Sequence, residues 1–163
     1  MMRLALRQYQ RMRPHRQGGA ITIEFALLFL IFFAVFYALV SYAIVMMLQQ
    51  AFVHAAEEGA RAAIAIDPLA YTSSATYYSS GIAPRVRTTI GTTLNWLPTK
   101  AKTKVLGVNN ANVQLTYVNS LLTVRVLYPS YASDPLLPML TLPVFGQIPQ
   151  VPTDLAGTAM INL

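Results

Sequence analysis

The chain contains no cysteine. That excludes disulfides, thiolate zinc sites, iron–sulfur centres and a cysteine nucleophile. It leaves the compartment open, because an oxidising space permits disulfides without requiring them. Charge is also scarce. Charged residues make up 11% of the chain against 55% hydrophobic, where a soluble domain is roughly a quarter charged. Histidine is limited to His15 and His54, too few to complete a metal site without a third element. There is no G-x-S-x-G, no phosphate-cradling glycine loop and no paired-carboxylate geometry. Serine and threonine cluster in one stretch with no base beside them. No enzyme activity, metal or cofactor is expected, and no internal repeat is visible.

What is present is a long oily run. From Phe25 to Leu48 the 24 residues carry no formal charge. At about 1.5 Å per residue they make roughly 36 Å of helix, enough to cross a hydrocarbon core of about 30 Å. The net charge of +6 is unevenly placed. Arg3, Arg7, Arg11, Arg13 and Arg16 precede Gly18 with no acid among them. The remainder is nearly neutral, with seven basic against six acidic residues. No nucleic-acid partner is therefore expected. A basic leader before an apolar run places the N-terminus in the cytoplasm and the C-terminal part outside. Membrane lipid is the first partner that composition implies.

The organisation follows from the stop signals. Residues 1–19 read as a basic leader. Residues 20–66 read as one continuous helix, with membrane residues 25–48 and a stalk over 49–66. The stalk is Ala-rich and free of proline until Asp67-Pro68, which pushes the chain out of helix. Its packed stripe is Phe52, Ala55/Ala56, Gly59, Ala62/Ala63 and Ile66. Residues 67–163 form an extracytoplasmic α+β domain. Within it, 67–81 is a Ser/Thr/Tyr-rich linker. Ile82, Val86, Ile90, Leu94 and Leu97 mark a short second helix, and 99–104 is a solvated basic turn. Residues 113–118 and 121–128 are strands, joined by a two-residue turn at Asn119-Ser120. Residues 129–152 hold six of the ten prolines and form an ordered apolar loop without a regular central strand. Residues 157–163 are a candidate third strand. The expected fold class is thus α+β: a long N-terminal transmembrane and stalk helix, then a small domain with a short helix and a two- to three-stranded antiparallel sheet.

The N-terminus admits three readings. A cleavable secretory signal fits the basic start, but its apolar core is usually only about 7–15 residues. A plain signal anchor fits length and charge, and leaves Gly18-Gly19 and Glu24 without a role. The third reading takes in all of it. Gly19, then Ala20-Ile21-Thr22-Ile23-Glu24-Phe25 and an apolar run, resembles the type IV prepilin class. In that class a membrane peptidase cuts directly after the glycine. On this sequence the resemblance implies a cut between Gly19 and Ala20, with Glu24 as the fifth mature residue. Many type IV pilins begin with phenylalanine; Ala20 points instead to the Flp/Tad branch. The string "AAEEGARAA" at 55–63 resembles the hallmark of TadE-like proteins, pseudopilins of the Tad (tight adherence) system. The resemblance is strong over 16–66 and weak over 67–163.

That resemblance implies a set of sites and partners. Gly19 and Ala20 flank the bond cut by a prepilin peptidase. Glu24 meets the freed α-ammonium of a neighbouring subunit and sets axial register; the plain alternative is a carboxylate near a helix start. Glu57, Gly59 and Arg61 face a partner pseudopilin, possibilities including a TadF-like chain and the pilus assembly machinery. The plain alternative there is a solvated stalk with His54–Glu58 and Glu57–Arg61 pairs at i, i+4. Leu136–Phe145 belongs to the domain core or forms a docking patch. The implied function is a minor pilin in Tad/Flp pilus assembly for adherence, held in a bacterial inner membrane with its domain in the periplasm. The alternative from another class is a signal-anchored periplasmic ligand-binding module or small enzyme.

Overall fold

The computed structural model describes residues 18–142, 146–148 and 150–163. The basic leader up to residue 17 lies outside them. The chain divides into two units between Tyr37 and Ala38.

The first helix, α1, runs from Gly18 to Ile64. Over the described part of the first unit its aromatic side chains stack on one another. Phe25, Phe29, Phe33 and Tyr37 stack at i, i+4, with ring centroids 6.2–6.4 Å apart. Phe32 and Phe36 repeat the pattern at 6.2 Å. The large apolar residues from Ile21 to Phe36 are exposed. A helix satisfies its own backbone hydrogen bonds, so such a surface can sit in hydrocarbon without cost to the main chain. The long apolar N-terminal helix marks the protein as membrane-anchored.

In the second unit the same helix becomes the spine of a core. Burial begins at Ser41 and Val45, inside the run assigned to membrane from the sequence, and continues through Leu48, Phe52, Ala55, Ala56, Ala60 and Ala63. After a 3-10 turn at Pro68–Ala70, the chain re-enters helix at Ser74. Here the expected linker is shorter than the Ser/Thr/Tyr run. Ser73 Oγ accepts from the Thr76 amide at 3.2 Å, and Thr76 Oγ1 accepts from the Ser73 amide at 3.1 Å. This capping box starts α2, Ser74–Thr76. A π-helical turn, Tyr77–Ile82, then leads into α3, Ala83–Thr93. The wide turn breaks the 3.6-residue period, so the polar run has no helical stripe to read. The ladder Ile82, Val86, Ile90, Leu94 and Leu97 is buried throughout.

Residues 99–104, expected as a solvated turn, belong to a helix, α4, Thr99–Val105. Ala101 and Val105 face the core. Lys100 and Lys104, one turn apart, both bond the Asp134 carboxylate. Those two hydrogen bonds, Lys100 first, hold Asp134 below the usual carboxylate range, and the same bond raises Lys100. The Asp134 carbonyl accepts from the Tyr128 hydroxyl at 3.1 Å. Burial pushes the Tyr128 hydroxyl up, which keeps it a proton donor.

The sheet is antiparallel in the order β1 (Gln114–Val118), β2 (Leu121–Tyr128), β5 (Leu155–Asn162). Asn119 and Ser120 both have positive φ, 50° and 65°, which matches the twist of a tight hairpin. Along β2, Leu122, Val124, Val126 and Tyr128 point into the core and alternate with more exposed residues. The third strand lies directly on α1. A Cβ at Gly157 would come within 2.2 Å of the Phe52 carbonyl carbon and the Val53 nitrogen. Glycine is required there because the clash is with backbone, which cannot swing aside. Between β2 and β5 the proline-rich segment holds a separate ladder, β3 (Leu140–Leu142) with β4 (Gly146–Ile148). The prolines bar a strand of the main sheet. The proline-free windows between them still admit three-residue strands.

Candidate functional site

Gly18 and Gly19 form the start of α1. A Cβ at Gly19 would meet nothing within 4 Å. Packing within the described chain therefore does not call for glycine at this position. Ala20 and Glu24 follow at i, i+4 spacing, which puts them on one helix face. Glu24 is exposed and has no hydrogen-bond or ion-pair partner among the described residues. Its neighbours Ile21, Ile23, Phe25, Leu27 and Leu28 are exposed apolar side chains. A charged side chain at the bilayer centre costs on the order of 2.5–3.5 kcal/mol by insertion scales, so a carboxylate on such a surface is favoured in lipid by a counter-charge.

The stalk motif splits. Glu57 and Arg61 are exposed, and Arg61 pairs with Glu58 at 3.4 Å. The i, i+4 alternative, Glu57–Arg61, is not the pair that forms. Gly59 sits on the opposite side of the helix from that surface. It is buried, and a Cβ there would lie 2.8 Å from Ile90 Cδ1 and 3.1 Å from Val86 Cγ1. The grouping of Gly59 with Glu57 and Arg61 as one partner face is therefore corrected: Gly59 admits α3 of its own chain. Helix spacing agrees: Gly59 is two residues from each of Glu57 and Arg61 and does not share their face, whereas Glu57 and Arg61, four apart, share one.

The rest of the domain offers binding shape but little chemistry. An open cleft of about 330 Å³ is lined by Pro68, Tyr71, Ser73, Tyr77, Tyr117 and Leu163 among others. Burial raises the Tyr77 hydroxyl, which donates to the Ile66 carbonyl at 3.4 Å. Among the described residues no group of three His, Cys, Asp or Glu side chains could hold a metal ion.

The TadE-like protein family model matches residues 19–61. Its limits coincide with the features above: it opens on Gly19, includes Glu24 and ends on Arg61. Over these residues the chain is similar to TadE-like proteins. The match covers about a quarter of the chain and none of α2–α4 or the sheet. No curated protein and no solved structure matches the chain. TadE-like proteins are pilin-like, structural proteins of the Tad pilus, and the apolar N-terminal helix agrees with that class. Sequence reasoning missed Gly157, whose only signal was a glycine at the head of an otherwise β-forming run.

Proposed function

We propose that this protein is a minor pilin, or pseudopilin, cut between Gly19 and Ala20 by a prepilin peptidase and assembled through its apolar helix with other minor pilins, a TadF-like chain among them, into a Tad/Flp pilus or its assembly machinery, for adherence. One observation carries the reading. A glycine with no packing neighbour among the described residues precedes, by five positions, a carboxylate that has no partner among them, on an apolar helix surface inside a segment that matches the TadE-like family model. Cleavage would give Ala20 a free α-ammonium. A neighbouring subunit stepped along the bundle can bring that ammonium to Glu24. In low dielectric each charge removes the other's desolvation cost only when paired. The pair then fixes axial register. Before cleavage the leader withholds the ammonium and keeps the subunit in the membrane.

The basic leader favours a cytoplasmic N-terminus and a periplasmic domain in a bacterial inner membrane. Glu57 and Arg61 supply an exposed, charged contact surface on the domain for a partner pseudopilin. Gly59 serves that surface only indirectly, by seating α1 against α3. The test is Glu24→Val in the full chain, expressed with the peptidase and the other pseudopilins of its system. Cleavage is expected to persist while co-purification of the partner is lost. Unchanged co-purification would remove the register role.

A further inference from the structure

We propose that the turn joining α3 to α4 touches phospholipid headgroups through Trp96 and Lys102, on the domain's side of the membrane that α1 crosses. This rests on the reading of α1 as a membrane anchor. The chain doubles back at this turn. Lys102 Nζ donates to Asn95 Oδ1 at 2.9 Å, and Asn110, past the end of α4, donates through Nδ2 to the Arg87 carbonyl at 3.0 Å. Residues 96–99 therefore close one end of a helical hairpin. Trp96, the single tryptophan, is 52% exposed there. Which end this is follows from contacts along α1. Tyr77, ahead of α3, bonds the Ile66 carbonyl, and Val86 and Ile90 pack at Gly59. Residue number rises along α3 as it falls along α1, so the turn at 96–99 lies toward the N-terminal end of α1.

The third strand of the sheet gives the level. Gly157 presses on Phe52 and Val53, and the Gln150 amide bonds the Tyr42 hydroxyl at 3.1 Å. The start of β5 therefore lies below Phe52 on α1. Leu155 pairs with Tyr128, whose hydroxyl bonds the Asp134 carbonyl, and the Asp134 carboxylate holds Lys100 and Lys104. Two strand residues span about 7 Å, or about four residues of helix, which sets this cluster near the level of Leu48. The exposed apolar side of α1 ends at the same level. Leu39, Met46 and Met47 are more than half exposed, and the exposed polar residues Gln49 and Gln50 follow. The α3–α4 turn thus stands where apolar helix surface gives way to polar surface. Tryptophan favours that boundary, and lysine can lay its stem on apolar surface while its ammonium stays in water. The charges favour a headgroup. This end of the domain carries Lys100, Lys102 and Lys104 against Asp134 and Asp154, and Asp154 already accepts from the Ser130 amide at 2.8 Å. Lys102 meets only the neutral Asn95 side chain among the described residues. Its ammonium is free to meet a lipid phosphate, and anionic lipid strengthens the contact. The acidic face of a neighbouring subunit is the competing occupant.

The native tryptophan is the probe. The full chain is reconstituted into phosphatidylcholine vesicles, with and without phosphatidylglycerol, whose acyl chains carry bromine either near the glycerol end or deep in the bilayer. Lys102→Glu is measured alongside, and Trp96→Phe with Phe29→Trp serves as the anchor reference. Circular dichroism checks that each variant folds; Trp96 is exposed, and Lys102 bonds only an exposed asparagine. The expected result is Trp96 emission quenched more by the shallow bromine than by the deep one, more strongly with phosphatidylglycerol, and with that gain lost in Lys102→Glu. Quenching at position 29 with none at Trp96 in either lipid overturns the proposal and leaves the anchor standing. Blue-shifted Trp96 emission that bromine does not quench and that grows with protein density also overturns it, in favour of a subunit contact. A phosphatidylglycerol gain that survives Lys102→Glu overturns the role of Lys102. No quenching at position 29 removes the anchor and the proposal together.

Discussion

The two stretches of α1 on either side of Ser41 are both helical and both carry apolar side chains, and they treat those side chains in opposite ways. From Ile21 to Phe36 the large residues are exposed, with no cover among the described residues. From Leu48 to Ala63 the buried residues are mostly small, with Leu48 and Phe52 as the large ones, and this inward face is covered by α3 and the sheet. Size explains the difference. Small residues let a strand and a helix come close to the α1 backbone, as Gly157 and Gly59 do. A column of phenylalanines cannot be approached that way, and needs lipid or the matching helices of other subunits. Hydrophobicity alone does not distinguish a surface for others from a surface for oneself; side-chain volume does.

That contrast can be broken most severely at Gly157. Gly157→Ala sets a methyl against the Phe52–Val53 backbone and is expected to cost more than about 4 kcal/mol, the exceptional end for one substitution. The check is urea unfolding of the domain signal; a loss below 1 kcal/mol would mean that β5 does not press on α1. Next comes a matched pair. Phe52→Ala is expected to cost about 3–5 kcal/mol by cavity formation. Phe29→Ala, in the exposed stretch, should change domain stability by no more than about 0.5 kcal/mol. Equal effects would erase the distinction between the stretches. Gly59→Ala falls between the two members of that pair. Helix propensity gains about 1 kcal/mol, and crowding of Ile90 and Val86 costs more, for a net loss of about 1 kcal/mol.

The smallest effect is electrostatic. Asp134 titrates below its usual 3.8 because Lys100 and Lys104 bond the ionised form. The stabilisation is therefore present above pH 3.8 and lost as pH falls through the lowered value. Asp134→Asn should flatten the loss of melting temperature in that acid window and leave its shape near neutral pH unaltered. An identical acid slope in both proteins would place the clamp outside the stability of the domain.

Much of this was legible in the sequence for physical reasons that differ by element. The Ile82–Leu97 ladder has a clean helical period, and β1 and β2 alternate around a positive-φ turn at Asn119-Ser120, so both could be read locally. The α2 helix could not, because its π turn disrupts the period in a polar run. The α4 helix hides its core residues, Ala101 and Val105, among lysines that find their acid 30 or more residues away. At the candidate site, Gly19 and Glu24 stand out because they violate the apolar pattern around them. Gly59 was visible as an odd glycine in a helix, but which neighbour it admits depends on α3, and no local pattern carries that.

The central claim is that Gly19 marks a cut and Glu24 a register, and the mature N-terminus tests it most directly. The measurement is the intact mass of the full chain made in a host with and without its prepilin peptidase. The expected result is a chain beginning at Ala20 only when the peptidase is present, and an uncut chain when Gly19 is replaced by leucine. A chain that keeps its leader in the peptidase-positive host would contradict the assignment of Gly19, and with it the ammonium that Glu24 is proposed to meet.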